Sequence, residues 1–133
     1  MTDAVAPPRI PLLVVEDDED IRSSLVQVLE EEGYAVSSAP NGRVAMSALS
    51  APDGILPRLI LLDMMMPVLD GPGFMDEQAR APELARIPVL ILSASGTVDS
   101  LPRPANLRTS VLKKPFTLER LLTAVQTLSA APG

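Results

Sequence analysis

Five short apolar runs punctuate the chain: Leu12-Leu13-Val14-Val15, Tyr34-Ala35-Val36, Leu59-Ile60-Leu61-Leu62, Val89-Leu90-Ile91-Leu92 and Ser110-Val111-Leu112. They lack polar alternation, which suits strands covered on both faces, as in a parallel sheet. The stretches between them have helical periodicity. Ile21, Leu25, Val28 and Leu29 share one face of a first helix, which Gly33 can stop. Asn41 can cap a second, carrying Val44, Ala45, Ala48 and Leu49. A third covers roughly residues 73–80 with Phe74, Met75 and Gln78, and Thr117 can cap the last, whose apolar face holds Leu118, Leu121, Leu122, Val125 and Leu128. Strand and helix alternate, so the fold class is α/β: an open parallel sheet with helices on both faces and right-handed crossovers. Between the fourth and fifth runs stand Pro102 and Pro104. Two prolines this close do not both fit inside a regular helix, so the fourth helix is expected to be short, kinked or replaced by a loop.

Length allows one domain: 133 residues. Residues 1–9 read as a loose lead-in, 10–129 as the folded domain and 130–133 as a tail. Hydrophobic residues make up 47%, which excludes disorder for the body of the chain. No apolar run approaches a membrane span, and the start has neither the basic nor the apolar region of a signal peptide, so a cytoplasmic protein without membrane contact is expected. Cysteine and histidine are both absent, which removes thiol chemistry, imidazole catalysis and thiolate or imidazole metal ligands. A net charge of −6 and 2% aromatic residues argue against direct nucleic acid binding.

In open α/β sheets the functional crevice lies at the carboxyl ends of the strands. The first run ends in Glu16-Asp17-Asp18, the third in Asp63, the fourth in Ser93 and the fifth in Lys113-Lys114-Pro115. Singly, each has an ordinary explanation. Asp18 or Asp20 caps the helix that follows, Asp63 fits a turn, Ser93 is a loop hydroxyl and Lys114 a solvated charge. Jointly they gather three acids, a hydroxyl and an ammonium on one edge of the sheet. Carboxylates ~4 Å apart repel by up to about 4 kcal/mol per pair at an effective dielectric of 20. Such a cluster calls for a proton or a cation, and an all-oxygen donor set suits Mg²⁺. With a lysine and a serine for the other phosphate oxygens, the arrangement suits a phosphoryl group carried on an acid.

The segments Leu13-Val14-Val15-Glu16-Asp17-Asp18, Leu61-Leu62-Asp63-Met64-Met65-Met66-Pro67, Asp70-Gly71, Ile87-Pro88-Val89-Leu90-Ile91-Leu92-Ser93-Ala94 and Lys113-Lys114-Pro115-Phe116 resemble, in order and spacing, a bacterial response regulator receiver domain. The resemblance covers nearly the whole chain. It implies a flavodoxin-like, doubly wound sheet of five parallel strands in the order 2-1-3-4-5. It also implies a phosphoacceptor signalling domain of a two-component system or phosphorelay, not a conventional enzyme, with Mg²⁺-dependent phosphotransfer and self-dephosphorylation. Asp63 resembles the phosphoacceptor, supplied by a sensor histidine kinase or a His phosphotransfer protein. Asp17 and Asp63 resemble the direct Mg²⁺ ligands, Glu16 a ligand through water, and Met65 a ligand through its backbone carbonyl. Ser93 resembles the switch hydroxyl and Lys114 the lysine that pairs with the phosphoryl group, after which a protein output partner reads the changed conformation. A homodimer is left open.

Three positions depart from the family's pattern. Val111 stands three residues before Lys114, where the family usually has an aromatic, so a weakened or rerouted signal is one reading and a plain core valine the other. Pro102 and Pro104 fall where the family's fourth helix runs, part of the usual output face, so a different output face or a segment ordered by a partner is expected. Met65 offers an apolar thioether where a polar side chain often affects water attack, so slow or partner-dependent dephosphorylation is expected. A non-phosphorylated interaction or scaffold module of the same fold is the alternative function. A haloacid-dehalogenase-like phosphatase ranks below both, because Met65 occupies the place of its second acid, and a P-loop NTPase is excluded because no G-x-x-x-x-G-K-[ST] loop occurs.

Overall fold

The computed structural model describes residues 9–51, 56–64, 68–94 and 103–130. The chain runs β1 (Pro11–Val15), α1 (Glu19–Glu31), β2 (Ala35–Ala39), α2 (Gly42–Leu49), β3 (Leu59–Asp63), α3 (Gly71–Arg80), α4 (Pro82–Ala85), β4 (Val89–Ser93), β5 (Thr109–Lys113) and α5 (Leu118–Ala130). All strand pairs are parallel and the order is β2-β1-β3-β4-β5, the doubly wound arrangement expected.

The central strands β3 and β4 are buried along their whole length. Their side chains divide by parity, as the pleat requires. Ile60, Leu62, Val89 and Ile91 join Met46, Leu49, Phe74 and Met75 in a core beneath α2 and α3. Leu59, Leu61, Leu90 and Leu92 join Leu25, Leu29, Leu121 and Val125 beneath α1 and α5. Two apolar layers explain why the runs carry no polar alternation. The edge strands β2 and β5 are less buried, which is why their sequence signal is weaker.

Caps fix where the helices begin. Asp18 accepts from the Ile21 amide (3.0 Å), Asn41 from Val44 (2.9 Å) and Thr117 from Arg120 (3.1 Å). Helix α3 starts at Gly71, two residues earlier than its apolar periodicity indicated, because Asp70 accepts from the Gly73 amide at 2.9 Å. At the far end of α1, Gly33 takes φ +98°, the left-handed conformation that a glycine adopts without strain. The short α4 was not expected; the buried Gln78 amide holds it by donating to the carbonyls of Leu84 (2.9 Å) and Ile87 (3.0 Å). Of the β4–β5 connection, residues 95–102, with Pro102, lie outside the described residues. Residues 103–108 contain no helix, and Leu107 closes a turn onto the Pro104 carbonyl.

Gly71 joins the fold to the site. A Cβ there would press on the Met64 sulfur and come within 2.9 Å of the Met64 Cα, directly after Asp63, while the Gly71 amide donates to the Met64 carbonyl at 3.2 Å. Gly71→Ala therefore has to push α3 away from the end of β3. A loss of about 1–3 kcal/mol in urea unfolding is expected, and an unchanged midpoint would show that this approach is not tight.

Candidate functional site

Each candidate residue sits where a strand ends and the chain turns. Glu16 and Asp17 follow β1, Asp63 closes β3, Ser93 closes β4 and Lys114 follows β5. Parallel pairing puts these four strand ends at one edge of the sheet. Oxygen atoms of Glu16, Asp17 and Asp63 lie within 4.8 Å of one another. The Lys114 ammonium stands 3.6 Å from Glu16 Oε1 and 3.8 Å from Asp63 Oδ1. Ser93 is the next residue along β4 from Leu92, the partner of Asp63, and its carbonyl accepts from the Lys114 amide at 2.8 Å. The Lys114–Pro115 peptide is cis. Met65 lies outside the described residues, so of the sequence-derived set Glu16, Asp17, Asp63, Ser93 and Lys114 have a place here.

Burial makes the cluster electrostatically unbalanced. Glu16 is only 2% exposed and Asp63 6%, whereas Asp17 is open to solvent. Burial pushes the Glu16 carboxyl up to about 7 and the nearby Asp63 adds to this; the Asp18 amide, donating to Oε2 at 3.2 Å, and Lys114 act in the opposite sense. Its other oxygen, Oε1, is buried and accepts no hydrogen bond. Among the described residues, the three carboxylates face the Lys114 ammonium, a formal excess of two negative charges when all are ionised. An orphaned buried oxygen, an all-oxygen donor set and an excess of two charges fit a hard divalent cation.

This balance predicts a trade between stability and binding. Glu16→Gln keeps the shape, can still accept from the Asp18 amide and removes a buried charge. In the presence of chelator the variant is expected to be more stable by about 1–3 kcal/mol in urea unfolding, the scale on which an uncompensated buried charge is relieved. It is also expected to bind divalent cations more weakly. A loss of stability in chelator would mean that Lys114 already neutralises the site.

Sequence reasoning passed over Arg22. From α1 its Nη1 donates to the Glu16 carbonyl at 2.9 Å, bracing the turn that carries Glu16 and Asp17. A basic residue near the start of a helix gives no such signal on its own. Val111 is half-buried and packs against the core under α2 and α3.

The family model for the response regulator receiver domain matches residues 12–126. The transcriptional regulatory protein PrrA of Mycobacterium leprae is 38% identical across 100% of this chain and 54% of its own length. An uncharacterized 14.6 kDa protein of Leptolyngbya boryana is 34% identical over 89% of this chain and 88% of its own. Among solved structures, the Vibrio cholerae chemotaxis protein CheY4 superposes with a TM-score of 0.79 at 27% identity, covering 91% of this chain and 99% of its own. The receiver domain of the Pseudomonas aeruginosa sensor histidine kinase PA1611, solved with a magnesium ion coordinated in its active site cleft, superposes with a TM-score of 0.78 at 26% identity, covering 93% and 100%. The chain spans about half the length of several transcriptional regulators it matches (51%, 50% and 54%). In sequence and in fold, the chain belongs to the response regulator receiver domain family of two-component systems.

Proposed function

We propose that the chain is a phosphorylatable receiver that accepts one phosphoryl group on Asp63, with residues 10–129 forming the receiver unit. The observation that carries this reading is the setting of Asp63. Its carboxylate is buried at the end of β3, grouped with Glu16 and Asp17 and 3.8 Å from the Lys114 ammonium. A buried acid in that company is either an electrostatic burden or a nucleophile whose product is stabilised on the spot.

In the proposed reaction an Asp63 oxygen attacks the phosphorus of a phosphohistidine on a kinase or phosphotransfer protein. The new oxygen–phosphorus bond forms as the nitrogen–phosphorus bond breaks, and the departing imidazole takes up a proton from solvent. Lys114 pairs with one phosphoryl oxygen, and Ser93 donates its hydroxyl to another. Asp17 and Asp63 would hold Mg²⁺ directly, Glu16 through water, and the Met65 carbonyl would complete the protein ligands. When bound, the ion supplies charge neutralisation at the phosphoryl oxygens. The added charge draws Ser93 and the end of β4 toward Asp63, and a protein partner reads the altered surface. Water attack on the acyl phosphate resets the domain.

The test is incubation of the chain with acetyl phosphate and Mg²⁺, followed by intact mass measurement. A gain of a single phosphoryl group, lost when chelator replaces the metal, is expected. No adduct, either from acetyl phosphate or from a phosphorylated kinase, would leave the interaction-module reading in its place.

A further inference from the structure

Among the described residues, β2 is an open edge of the sheet, paired with β1 alone. Two hydrogen bonds establish which way its backbone faces. The Ala35 amide donates to the Ile10 carbonyl (3.0 Å), and the Ala39 carbonyl accepts from the Glu16 amide (3.1 Å). Ala35, Ser37 and Ala39 therefore turn their peptide groups toward β1, while Val36 and Ser38 turn theirs outward. Native edges are commonly guarded by charge, proline or a bulge. Residues 35–39 carry no charge and no proline, and Ser37 and Ser38 are exposed.

The groove that flanks this edge carries its charges in a polar order. A groove beside β2 is lined by Arg22, Val26, Gln27, Glu30 and Glu31 of α1 together with Ser38. Helix α1 runs opposite to β2, so Arg22 lies at the Ala39 end, where it holds the Glu16 carbonyl (2.9 Å). Glu30 and Glu31 lie at the Ala35 end, next to the turn that leads into β2.

We propose that the β2 edge is a self-association surface, pairing antiparallel with β2 of a second copy of this chain about a two-fold axis through Ser37. In that register Val36 faces Ser38 of the second copy, so their outward amides and carbonyls exchange four hydrogen bonds across the axis. The axis is perpendicular to the sheet and keeps both α1 helices on one face, running in opposite directions. Arg22 of each copy then meets Glu30 and Glu31 of the other, with Val26 and Gln27 between. The lengths agree: Arg22 to Glu30 spans about 12 Å of helix, and Ala35 to Ala39 about 13 Å of strand. Parallel pairing sets like charge against like and forms no closed pair. This complementarity selects a second copy, rather than an unrelated strand, as the occupant.

The chain contains no cysteine, so a single introduced one reports cleanly. Sedimentation velocity of the full chain, from micromolar to submillimolar concentration, is expected to show a dimer that weakens as salt rises. Glu30→Arg with Glu31→Arg sets positive charge against Arg22, and Ser38→Pro deletes an outward amide that β1 does not use. Each is expected to weaken the dimer at least about tenfold. The arginine pair also places favourable charge at the end of α1, so its thermal stability should not fall. Ser37→Cys, on the axis, should form a disulfide dimer at least about tenfold faster than Ser47→Cys on exposed α2. A monomer throughout the concentration range overturns the proposal, as does a dimer indifferent to the arginine pair or equal cross-linking at both positions.

Discussion

Asp63→Asn is expected to take up no phosphoryl group from acetyl phosphate or from a phosphorylated kinase, even with Mg²⁺ present. The amide matches the carboxylate in size, so the packing at the end of β3 survives. What disappears is the nucleophile: a neutral amide oxygen carries no charge to form an anhydride. The substitution also removes one of three acids that converge within 4.8 Å, and with it part of the field that raises the Glu16 carboxyl. The variant should therefore be at least as stable as the parent chain in chelator, which separates lost chemistry from lost fold. Intact mass and urea unfolding on the same preparation read both. An adduct of parental yield on the folded variant would move the acceptor to another residue.

Phe74→Ala is expected to destabilise the fold severely. Phe74 is fully buried in the layer beneath α3, packed with Met75, Ile60, Leu62 and Ile91. Truncation removes the ring's transfer free energy and leaves a cavity in a layer enclosed by strands β3 and β4. The typical cost is about 3–5 kcal/mol. A domain of this size has about 5–15 kcal/mol in all, so the midpoint of thermal unfolding should fall by on the order of 10 °C or more. A shift of only a degree or two would mean that α3 relaxes into the space.

The sheet was legible in the sequence where burial is two-sided. Leu59–Leu62 and Val89–Leu92 are apolar without interruption because each residue meets one of two cores. At β2 the apolar signal stops at Val36, while the strand runs on to Ala39; Ser37 and Ser38 are exposed on an edge that no described element covers, so burial places no demand on them. The caps Asp18, Asn41 and Thr117 were readable because each precedes an apolar periodic stretch. Asp70 was not, because Gly71-Pro72-Gly73 looks like a turn until the close approach of Gly71 to Met64 is seen. Helix α4 escaped notice because a side chain from another helix, Gln78, holds it.

The candidate site was legible as a set of residue types at strand ends, and the resemblance supplied the roles proposed for them. The sequence could not give the burial of Glu16, its oxygen without a hydrogen bond, or the position of Lys114 between Glu16 and Asp63. These depend on how far each side chain leans over the sheet edge, a tertiary property. Arg22 was invisible for the same reason, since its partner is a backbone carbonyl six residues away.

The most direct test asks which residue carries the phosphoryl group. The chain is treated with acetyl phosphate and Mg²⁺ and then with borohydride, which reduces an aspartyl phosphate to homoserine. Peptide mass spectrometry locates the change. Conversion confined to Asp63, and dependent on the metal, is predicted; conversion at a different acid, or modification of Asp63 to the same extent in chelator, would contradict the account.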